Sequence, residues 1–596
     1  MIFGKYINRY YLKYSWVLLI GIASLVMVDS VQLIVPELYR ITLNGIIYGE
    51  TEINGVMREF SMDILLNNVC LPLLFVILAL VIGRFVWRIC FFGSAIRTET
   101  GLRSLMFDRC KELSQQFYNE NKVGGMMSLF TNDLETVQDC FGGGVLMAAD
   151  AALLGVLAVF KMARMNVWLT LFALIPMLLL GAVGTVVGKT MTKRWDSRQE
   201  AFSKLSDFSQ ESFSGISVIK AFVRETKELM AFAWLNRNNE KANVDYVRIS
   251  VLLNILVTLF VESVICIIFG YGGYLVLDPA SSFNVGRLVE FAGYFTSVIW
   301  PIMAVAELID MSSRGKASLK RITALIDAGV DVADRPDVAD PGEIRGEIEF
   351  RGLSFTYPGA SSPSLHDVSF RINAGESVGI IGKTGSGKTT IADLILRQYN
   401  VDDGMIFIDG HDINSIPLDV IRKYTAYVPQ DNFLFSDTIE RNIAFALDDY
   451  SEEEVEEAAA YAGVHDDISE FPEKYKTVLG ERGVTVSGGQ KQRISIARAL
   501  MKDASVIIMD DAVSAVDTKT EERILDALHT VRAGKTTVMI AHRVSTVEDM
   551  DKIIYVDDGT VTAVGTHEQL YGTCEAYRKT VELQKLEEER RDDLNA

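Results

Sequence analysis

The chain has 596 residues, 49% of them hydrophobic, and a mean hydropathy of +0.20, which is high for a soluble protein. Its formal net charge of −20 is carried mainly by the residues after Asp327, so an acidic half follows an apolar half that is nearly neutral. This length predicts two or more domains, and the charge distribution argues against nucleic acid as a partner. The six cysteines form no CxxC pair, which argues against a metal site or a disulfide framework.

Residues 1–14 are predicted to form an amphipathic helix that lies on the inner face of a membrane. Lys5, Arg9 and Lys13 recur every four residues and would line one face of this helix, while apolar and aromatic residues occupy another. The apolar run that follows continues to Val35 without a small-residue cleavage pattern, so we do not expect a cleaved signal peptide.

Six apolar segments are long enough to cross a bilayer, roughly residues 15–38, 64–92, 140–161, 166–188, 248–277 and 287–311. The distribution of Lys and Arg puts the N-terminus in the cytosol, so the loops between spans 2 and 3 and between spans 4 and 5 are cytosolic. Gly and Pro are sparse in these loops, which predicts that the helices continue beyond the bilayer. We therefore expect an all-α transmembrane domain over residues 1–325.

Three acidic residues, Asp29, Asp150 and Glu262, fall near the middle of spans 1, 3 and 5. Charged side chains inside spans are costly and are candidates for function. Two interpretations remain open: an acidic cavity that attracts cationic amphiphiles, or hydrogen bonding between helices. Arg84 and Arg88 lie toward the cytosolic end of span 2.

The second half of the chain has the pattern of a separate α/β domain. Residues 326–346 are acidic, contain Pro336 and Pro341, and are predicted to be a linker. From residue 347 to 585, short β-rich segments alternate with helical ones, which predicts a parallel sheet covered by helices. Residues 586–596 form a charged tail.

A glycine-rich loop follows a predicted strand at Ser377–Ile381 and precedes a predicted helix at Thr390–Leu396. Backbone N–H groups of such a loop surround phosphates, Lys388 reaches the outer phosphates, and Thr389 coordinates Mg²⁺. The predicted nucleotide-binding residues are Gly382, Lys383, Thr384, Gly385, Ser386, Gly387, Lys388, Thr389 and Thr390. Asp510 ends an apolar strand and would hold Mg²⁺ through water.

A second candidate anion site lies at Val486-Ser487-Gly488-Gly489-Gln490. Ser487, Gly488 and Gly489 open a predicted helix that begins near Lys491, and its free N–H groups would attract an anion. Because the chain already has one phosphate loop, the second site implies a nucleotide site completed across a dimer. With this segment the chain resembles the ATP-binding cassette (ABC) family, whose signature is LSGGQ; Val486 replaces the leucine.

The resemblance covers nearly the whole chain and implies roles for further residues. Tyr357 resembles the aromatic residue that stacks on adenine. Gln430 resembles the glutamine that lies beside Mg²⁺ and the attacking water. His542 resembles the histidine that contacts the γ-phosphate. The segment Ser514–Asp517 resembles the loop that contacts the partner's ATP site, which implies that Asp517 binds there. The resemblance implies that Ser487, Gly488, Gly489 and Gln490 also bind the nucleotide of the partner's site.

Three cytosolic segments also resemble elements of ABC exporters. Thr477–Gly483 is similar to the cross-linking loop of that family. Short coupling helices, which dock on the nucleotide domains, are expected near Lys111–Lys122 and Ser209–Val218.

Asp511 departs from the family, which places a catalytic glutamate at this position. A general base must come within roughly 2.6–3.2 Å of its proton partner. Aspartate is one methylene shorter, and a misplacement of about 1 Å can cost on the order of a hundredfold in rate. Because Lys388, Asp510, Gln430 and His542 are intact, ATP binding should survive while hydrolysis slows.

This combination resembles one subunit of a heterodimeric bacterial multidrug exporter, whose partner supplies the catalytic glutamate. The resemblance implies ATP-driven, Mg²⁺-dependent efflux of hydrophobic or amphipathic small molecules across the cytoplasmic membrane, in contact with membrane lipids. A slow homodimer, an aspartate with adapted reach, and a lipid or peptide exporter remain alternatives. An ATP-gated membrane regulator that does not pump is the alternative from another functional class.

Overall fold

A computed structural model of the protein describes residues 2–53, 55–480, 483 and 486–595, with the side chains of Thr185, Ala306 and residues 587–595 left aside. The chain divides into two compact units. The first unit comprises Met1–Arg109 and Gly124–Asp327, and the second comprises Cys110–Val123 and Ala328–Ala596.

Helices dominate the first unit. In chain order the helices up to residue 326 are α1 (Lys5–Lys13), α2 (Ser15–Gln32), α3 (Val35–Tyr48), α4 (Met62–Ile64), α5 (Leu71–Glu112), α6 (Gln115–Glu120), α7 (Val123–Ser128), α8 (Leu134–Met165), α9 (Val167–Ser214), α10 (Ile216–Ala221), α11 (Glu225–Leu277) and α12 (Val285–Ile326). Strands β1 (Glu50–Ile53) and β2 (Val56–Glu59) form an antiparallel hairpin between α3 and α4. π-Helical turns at Leu65–Cys70 and Leu129–Asp133 lead into α5 and α8.

Within the described residues, six helical stretches are long and apolar enough to cross a membrane, which confirms the predicted number. We number them spans 1 to 6: Ser15–Tyr48, Met62–Glu112, Val123–Met165, Val167–Ser214, Glu225–Leu277 and Val285–Ile326. The helices of spans 2 and 5 run well past the predicted bilayer segments, as the scarcity of Gly and Pro in the adjoining loops indicated.

The N-terminal helix α1 is attached to the end of span 6. Ile2 and Ile7 are fully buried, so the apolar face of α1 belongs to the core of the unit. Lys5 Nζ lies 2.8 Å from Oδ1 of Asp327, and the Tyr6 hydroxyl donates to the same carboxylate. Asp327 directly follows α12, so these contacts hold the start of the predicted linker.

Close packing of α8 against α12 depends on a glycine. A Cβ atom added at Gly315 would clash with Sγ of Cys140, which is fully buried and donates to the carbonyl oxygen of Met311 (3.0 Å). Farther along, the buried carboxylate of Asp133 accepts hydrogen bonds from Ser318 Oγ (2.6 Å) and Arg321 Nε (3.0 Å). The packing of α8 against α12 therefore depends on the close fit at Gly315 and on the charge-assisted hydrogen bond between Arg321 and Asp133.

A short helix is present in each cytosolic loop, but the prediction for the second loop was displaced along the chain. Helix α6 lies inside the predicted segment Lys111–Lys122 and belongs to the second unit. The other short helix is α10, later than the predicted Ser209–Val218, because α9 continues to Ser214. Gly215 ends α9, and its N–H donates to the carbonyl oxygen of Glu211 (2.9 Å).

The second unit is an α/β domain, as predicted. Its strands and helices after the linker are β3 (Ile348–Phe355), β4 (Leu365–Ile372), β5 (Ser377–Gly382), α13 (Lys388–Ile395), β6 (Ile406–Ile408), β7 (His411–Asp412), α14 (Leu418–Tyr424), β8 (Thr425–Val428), α15 (Ile439–Ile443), α16 (Glu452–Tyr461), α17 (His465–Glu470), α18 (Gly488–Met501), β9 (Val506–Asp510), α19 (Thr518–Val531), β10 (Thr536–Ala541), β11 (Lys552–Asp557), β12 (Thr560–Gly565), α20 (His567–Thr573) and α21 (Glu575–Asn595).

Its main sheet has the strand order β12-β11-β5-β10-β9-β8, with β12 antiparallel and the others parallel. A second sheet, β4-β3-β6-β7, is antiparallel. Strands β9 and β10 are buried along their whole length and rich in Val, Ile and Met. Such composition is typical of parallel strands covered on both faces, and apolar clusters on both sides of the sheet form the core of the domain.

We expect Gly315→Ala to destabilise the protein. The added methyl group would overpack the α8–α12 contact, at a cost of about 1–3 kcal/mol. Gly143→Ala is a matched control, because a Cβ atom there would meet only Met311 Cε at an ordinary 3.8 Å. Thermal unfolding of the purified protein should show a lower midpoint for Gly315→Ala than for Gly143→Ala; equal midpoints would contradict the steric account.

Candidate functional site

The carboxyl ends of three parallel strands bring the predicted nucleotide-binding residues to one edge of the sheet. Gly382 ends β5, Asp510 ends β9, and His542 follows β10. The strands are in register, since Ile540 pairs with Asp510 and Ala541 with Ile381. Ligands of parallel sheets bind at this edge.

A cavity of about 470 Å³ opens at this edge. It is lined by Tyr357, Thr384, Gly385, Gly387, Lys388, Thr389, Thr390, Gln430, Asp510 and His542, all of them predicted site residues, and also by Ser362, Pro363, Ser364, His366, Asp558 and Gly559. The last six come from loops that approach the site only in the folded domain, and no sequence motif indicated them.

The phosphate loop has the backbone that its glycines permit. Gly385 and Gly387 have φ angles of +82° and +95°, and a Cβ atom at Gly387 would lie 2.6 Å from Leu365 Cδ2. Nζ of Lys388 donates to the carbonyl oxygens of Gly382 (2.9 Å) and Lys383 (2.8 Å). Burial lowers the pKa of Lys388, which the nearby acids Asp510 and Asp511 oppose. Lys388 is thus a buried cation held at the centre of the loop.

Two buried polar atoms at the site have no hydrogen-bond partner among the described residues. Asp510 is 2% exposed and its Oδ2 atom has no hydrogen bond; Oγ of Ser386 is in the same situation. Burial raises the pKa of Asp510 because it disfavours the charged form, and the hydrogen bond with Thr389 and the charge of Lys388 oppose this shift. The carboxylate of Asp510, the hydroxyl of Thr389 and the amide of Gln430 are oxygen donors of the kind that Mg²⁺ prefers. The residues present therefore fit a metal ion bound with phosphate.

Tyr357 stands at the other end of the cavity in a cluster of aromatic rings. Its hydroxyl donates to Thr390 Oγ1 (3.0 Å) and Asp393 Oδ2 (3.1 Å), and its ring meets that of Tyr399 edge to face with centroids 5.0 Å apart. The hydroxyl of Tyr399 accepts a hydrogen bond from Nδ2 of Asn119 (3.0 Å) on α6. A chain of contacts thus joins Tyr357 to the first cytosolic loop.

Asp393 and Tyr399 were missed from the sequence, because neither belongs to a motif. Burial raises the pKa of Asp393 to about 6, with Asp510 adding to the shift and the hydrogen bond from Tyr357 opposing it. An aspartate two turns into the helix after a phosphate loop is a signal that could have been noticed.

The signature segment, as far as it is described, does not line its own chain's cavity. Ser487 caps α18: its Oγ accepts from the N–H of Gln490 (3.2 Å), and Oε1 of Gln490 accepts from the N–H of Ser487 (3.0 Å). A Cβ atom at Gly488 would meet nothing within 4 Å, so the start of the helix is open. Among the described residues, none from Ser487 to Gln490 lines the cavity, and neither does Asp517, which caps α19.

Gln492 joins the signature helix to the segment after β9. Its Nε2 donates to the carbonyl oxygen of Asp511 (3.3 Å) and to Ser514 Oγ (3.2 Å), and its Oε1 accepts from the N–H of Ala515 (3.0 Å). Gln492 is buried and was not predicted as a site residue. It fixes the two predicted partner-facing segments relative to each other.

Two family models match the chain: the ABC transporter transmembrane region over residues 18–302, and the ABC transporter model over residues 365–514. The probable multidrug resistance ABC transporter ATP-binding/permease protein YheI of Bacillus subtilis (strain 168) is 36% identical over 584 residues, which cover 98% of this chain and 97% of that protein. The chain belongs to the ABC transporter family. The multidrug resistance-like ATP-binding protein MdlA of Escherichia coli (strain K12) is 34% identical over 97% of this chain and 96% of that protein.

A solved structure of a bacterial Atm1-family ABC exporter with ATP bound has the same fold, with a TM-score of 0.78 and 26% identity over 97% of this chain and 98% of that chain. This ABC transporter is thus a multi-pass membrane protein with a cytosolic nucleotide-binding domain. That domain binds ATP and couples its hydrolysis to transport.

Asp511 has an unusual backbone conformation for a residue other than glycine. Its φ angle is +50°, its N–H donates to the carbonyl oxygen of Ile540 (2.9 Å), and its carbonyl oxygen accepts from Ser514 Oγ (2.9 Å). Aspartate enters this left-handed region more readily than most residues. Of the two adjacent acids described here, Asp510 lines the nucleotide cavity and Asp511 does not.

The segment that resembles the cross-linking loop of the transporter is only partly described. Glu481 and Arg482 lie outside the described residues. Val478 forms a bridge with Thr438, and the N–H of Leu479 donates to the carbonyl oxygen of Asp437 (2.9 Å). The start of the loop is therefore anchored on the domain.

A second cavity, of about 650 Å³, lies within the membrane unit of the transporter. Asp29 and Asp150 line it, together with Arg84 and Arg88 from span 2. Glu262 is exposed on span 5, and among the described residues it is not part of this lining. The predicted acidic cavity thus contains two of the three acids and two cations beside them.

We expect Asp393→Asn to change the pH dependence of stability. Because the pKa of Asp393 is raised, the folded state holds its proton more tightly than the unfolded chain, and the stability from this group falls as pH rises to about 6. Thermal unfolding of the purified transporter should be measured at about pH 5 and about pH 7.5. Between these values, the free energy of unfolding should fall by about 1 kcal/mol less for Asp393→Asn than for the unsubstituted protein. Exposed Asp402→Asn is the control and should match the unsubstituted protein. Identical pH profiles for Asp393→Asn and the unsubstituted protein would contradict the shift.

Proposed function

We propose that this ABC transporter is one subunit of a bacterial exporter that uses ATP to move hydrophobic or amphipathic small molecules out of the cytosol. One observation carries the proposal: a membrane unit with an internal cavity and a nucleotide cavity with a complete set of phosphate-binding side chains occur in one chain. The similarity to multidrug resistance relatives over 97% of the chain or more supports export as the direction and small molecules as the cargo.

In this proposal the ATP phosphates bind to the N–H groups of residues 382–390 and to Lys388, while adenine stacks on Tyr357. Thr389, Gln430 and Asp510 would hold Mg²⁺ beside these phosphates. Such an ion would supply positive charge that balances the negative charge of the phosphate oxygens. The unpaired Oδ2 of Asp510 and the buried ammonium of Lys388 support these assignments.

His542 and Gln430 are assigned to the reacting end of the nucleotide. His542 would contact the γ-phosphate, and Gln430 would orient the attacking water. Both line the cavity beside Asp510, which supports their proximity to the transferred group. Positioning of this kind, rather than covalent chemistry, provides most of the catalysis in phosphoryl transfer.

We further propose that a second half-transporter completes each ATP site. Ser487, Gly488, Gly489 and Gln490, with Asp517, would bind the nucleotide held by the partner subunit. The open N-terminus of α18 supports this assignment, because helix N-termini bind anions and, among the described residues, Ser487 to Gln490 do not line the cavity of their own chain.

The partner is proposed to be a different polypeptide that supplies a catalytic glutamate. Asp511 is one methylene too short to bring its carboxylate to the attacking water, and its exclusion from the cavity lining supports this reading. The site of this chain would then bind ATP and hydrolyse it slowly. The competent site would consist of the partner's phosphate loop and this chain's signature helix.

Closure of the two nucleotide domains would be passed to the membrane through the short helices α6 and α10. The contact of Asn119 on α6 with Tyr399, which touches the adenine-side Tyr357, supports a link between nucleotide binding and the first loop. The cavity among the spans would then switch from cytosolic to external access, and release of phosphate would reset it.

Export is tested by ATP-dependent accumulation of a fluorescent amphipathic dye in inverted vesicles that contain the assembled transporter. We expect accumulation against a gradient, because the proposed pump moves its cargo away from the ATP-binding side. Lys388→Ala should lower accumulation, since it removes the phosphate-binding cation of this chain's ATP site. Dye that only equilibrates across the membrane would support the alternative, an ATP-gated regulator that does not pump.

We expect Asp511→Glu to raise ATP hydrolysis at the slow site by at least about tenfold, because the longer side chain restores the reach of the base. The rate should be measured in the assembled dimer with the partner's glutamate changed to glutamine, so that the competent site is silent. Asp549→Glu, at an exposed position, adds the same methylene elsewhere and should have no effect.

This chain purified without its partner should bind ATP and hydrolyse it slowly. Brisk hydrolysis by a homogeneous homodimer would contradict the heterodimer. An unchanged rate for Asp511→Glu in the dimer would contradict the argument from reach.

A further inference from the structure

The membrane cavity contains two carboxyl groups in contact. Asp29, on α2, is only 2% exposed, and within the described residues its Oδ2 atom has no hydrogen-bond partner. The carboxyl group of Asp150, on α8, lies within hydrogen-bonding reach of Asp29. Asp150 also accepts a hydrogen bond from Nε1 of Trp300 on α12 (2.6 Å). Three spans thus converge on one pair of acids.

The cations of the cavity do not neutralise this pair by direct contact. Nη2 of Arg84 donates to Oε1 of Gln32 (3.3 Å), although its charge still acts on Asp29. The guanidinium of Arg88 lies over the ring of Trp87, 5.4 Å from the centroid. Tyr39 is the other titratable residue in the described lining. Asp150 thus accepts a hydrogen bond from Trp300, whereas Asp29 has a buried oxygen without a hydrogen bond to the described residues.

Two carboxylates in contact repel each other, and the repulsion is strong where water is scarce. A proton between them removes it, and so does the positive group of a ligand. The cavity also has aromatic walls, from Trp87, Trp300 and Tyr39, and such faces attract organic cations. Its volume of about 650 Å³ lies within the range of small-molecule sites.

Starting from the export function proposed above, we propose that the Asp29–Asp150 pair exchanges a shared proton for the cationic group of a lipophilic organic cation. In the free cavity one proton is shared by the two carboxyl groups. When the cation enters, this O–H bond breaks, the proton leaves to water, and the substrate's charge takes its place. One positive charge enters for each that leaves, so the charge of the buried site is conserved.

The direct test is binding of tetraphenylphosphonium to the assembled transporter by titration calorimetry, in two buffers of different ionisation enthalpy. This cation has no titratable proton, so any proton released must come from the protein. We expect release of about one proton per cation bound. At pH values below the midpoint of the exchange, the dissociation constant should fall about tenfold for each unit by which the pH is raised. Triphenylphosphine oxide, which is neutral and of similar shape, should release none.

Variants separate the acid pair from other acids of the membrane unit. Asp29→Asn and Asp150→Asn should each abolish proton release and the pH dependence, and should weaken tetraphenylphosphonium binding relative to triphenylphosphine oxide. Glu262→Gln is the matched control, because this acid lies on span 5 outside the cavity lining, and it should behave as the unsubstituted protein. Retained ATP binding in each variant verifies that it is folded.

Three results would overturn the proposal: binding of tetraphenylphosphonium without proton release, no binding of it at all, or equal effects of Glu262→Gln and Asp29→Asn. Failure of the export function has a different signature. In that case inverted vesicles would accumulate neither a cationic nor a neutral dye with ATP, whereas calorimetry would still detect the exchange.

Discussion

Asp510 ends a strand in which every residue is buried, and one oxygen of its carboxylate has no hydrogen-bond partner in the described part of the chain. The sheet holds this charge in place, because β9 is paired in register on both sides, with β10 and with β8. A buried unpaired charge costs several kcal/mol unless a counter-charge compensates it. The nucleotide domain therefore keeps a position that a cation bound with phosphate can stabilise, and the phosphate loop, Gln430 and His542 are arranged around it.

The membrane unit uses the same principle with a different outcome. Asp29 also has a buried carboxylate oxygen without a partner, but it faces another acid instead of a lysine. A site of this kind selects by charge and not by shape, since a proton and an organic cation can both satisfy it. Arg84 and Arg88 keep the cavity as a whole near neutrality, so the selectivity must come from the local pair.

Local motifs could be predicted from the sequence, and contacts formed by distant segments could not. Gly382 to Thr389 are consecutive residues whose spacing specifies their conformation, and the structure places most of them along one cavity. Asp393 and Gln492 were missed because their partners, Tyr357 and Asp511, lie far from them in the chain or across a turn. The depth of Glu262 in span 5 could be read from the sequence, but the direction in which it points depends on how α11 is rotated against its neighbours. The position of α10 was displaced because one glycine, Gly215, decides where the long helix before it ends.

The attachment of the N-terminal helix to Asp327 has a mechanical meaning. The ion pair with Lys5 is largely exposed, with 68% and 41% of the two side chains accessible, and exposed pairs of this kind contribute little to stability. The Lys5–Asp327 ion pair therefore orients the chain at the end of α12 but adds little to the free energy of unfolding. Dissolved salt weakens this ion pair further. The attachment of α1 thus has one part that depends on ionic strength, the Lys5–Asp327 pair, and one part that does not, the buried side chain of Ile7.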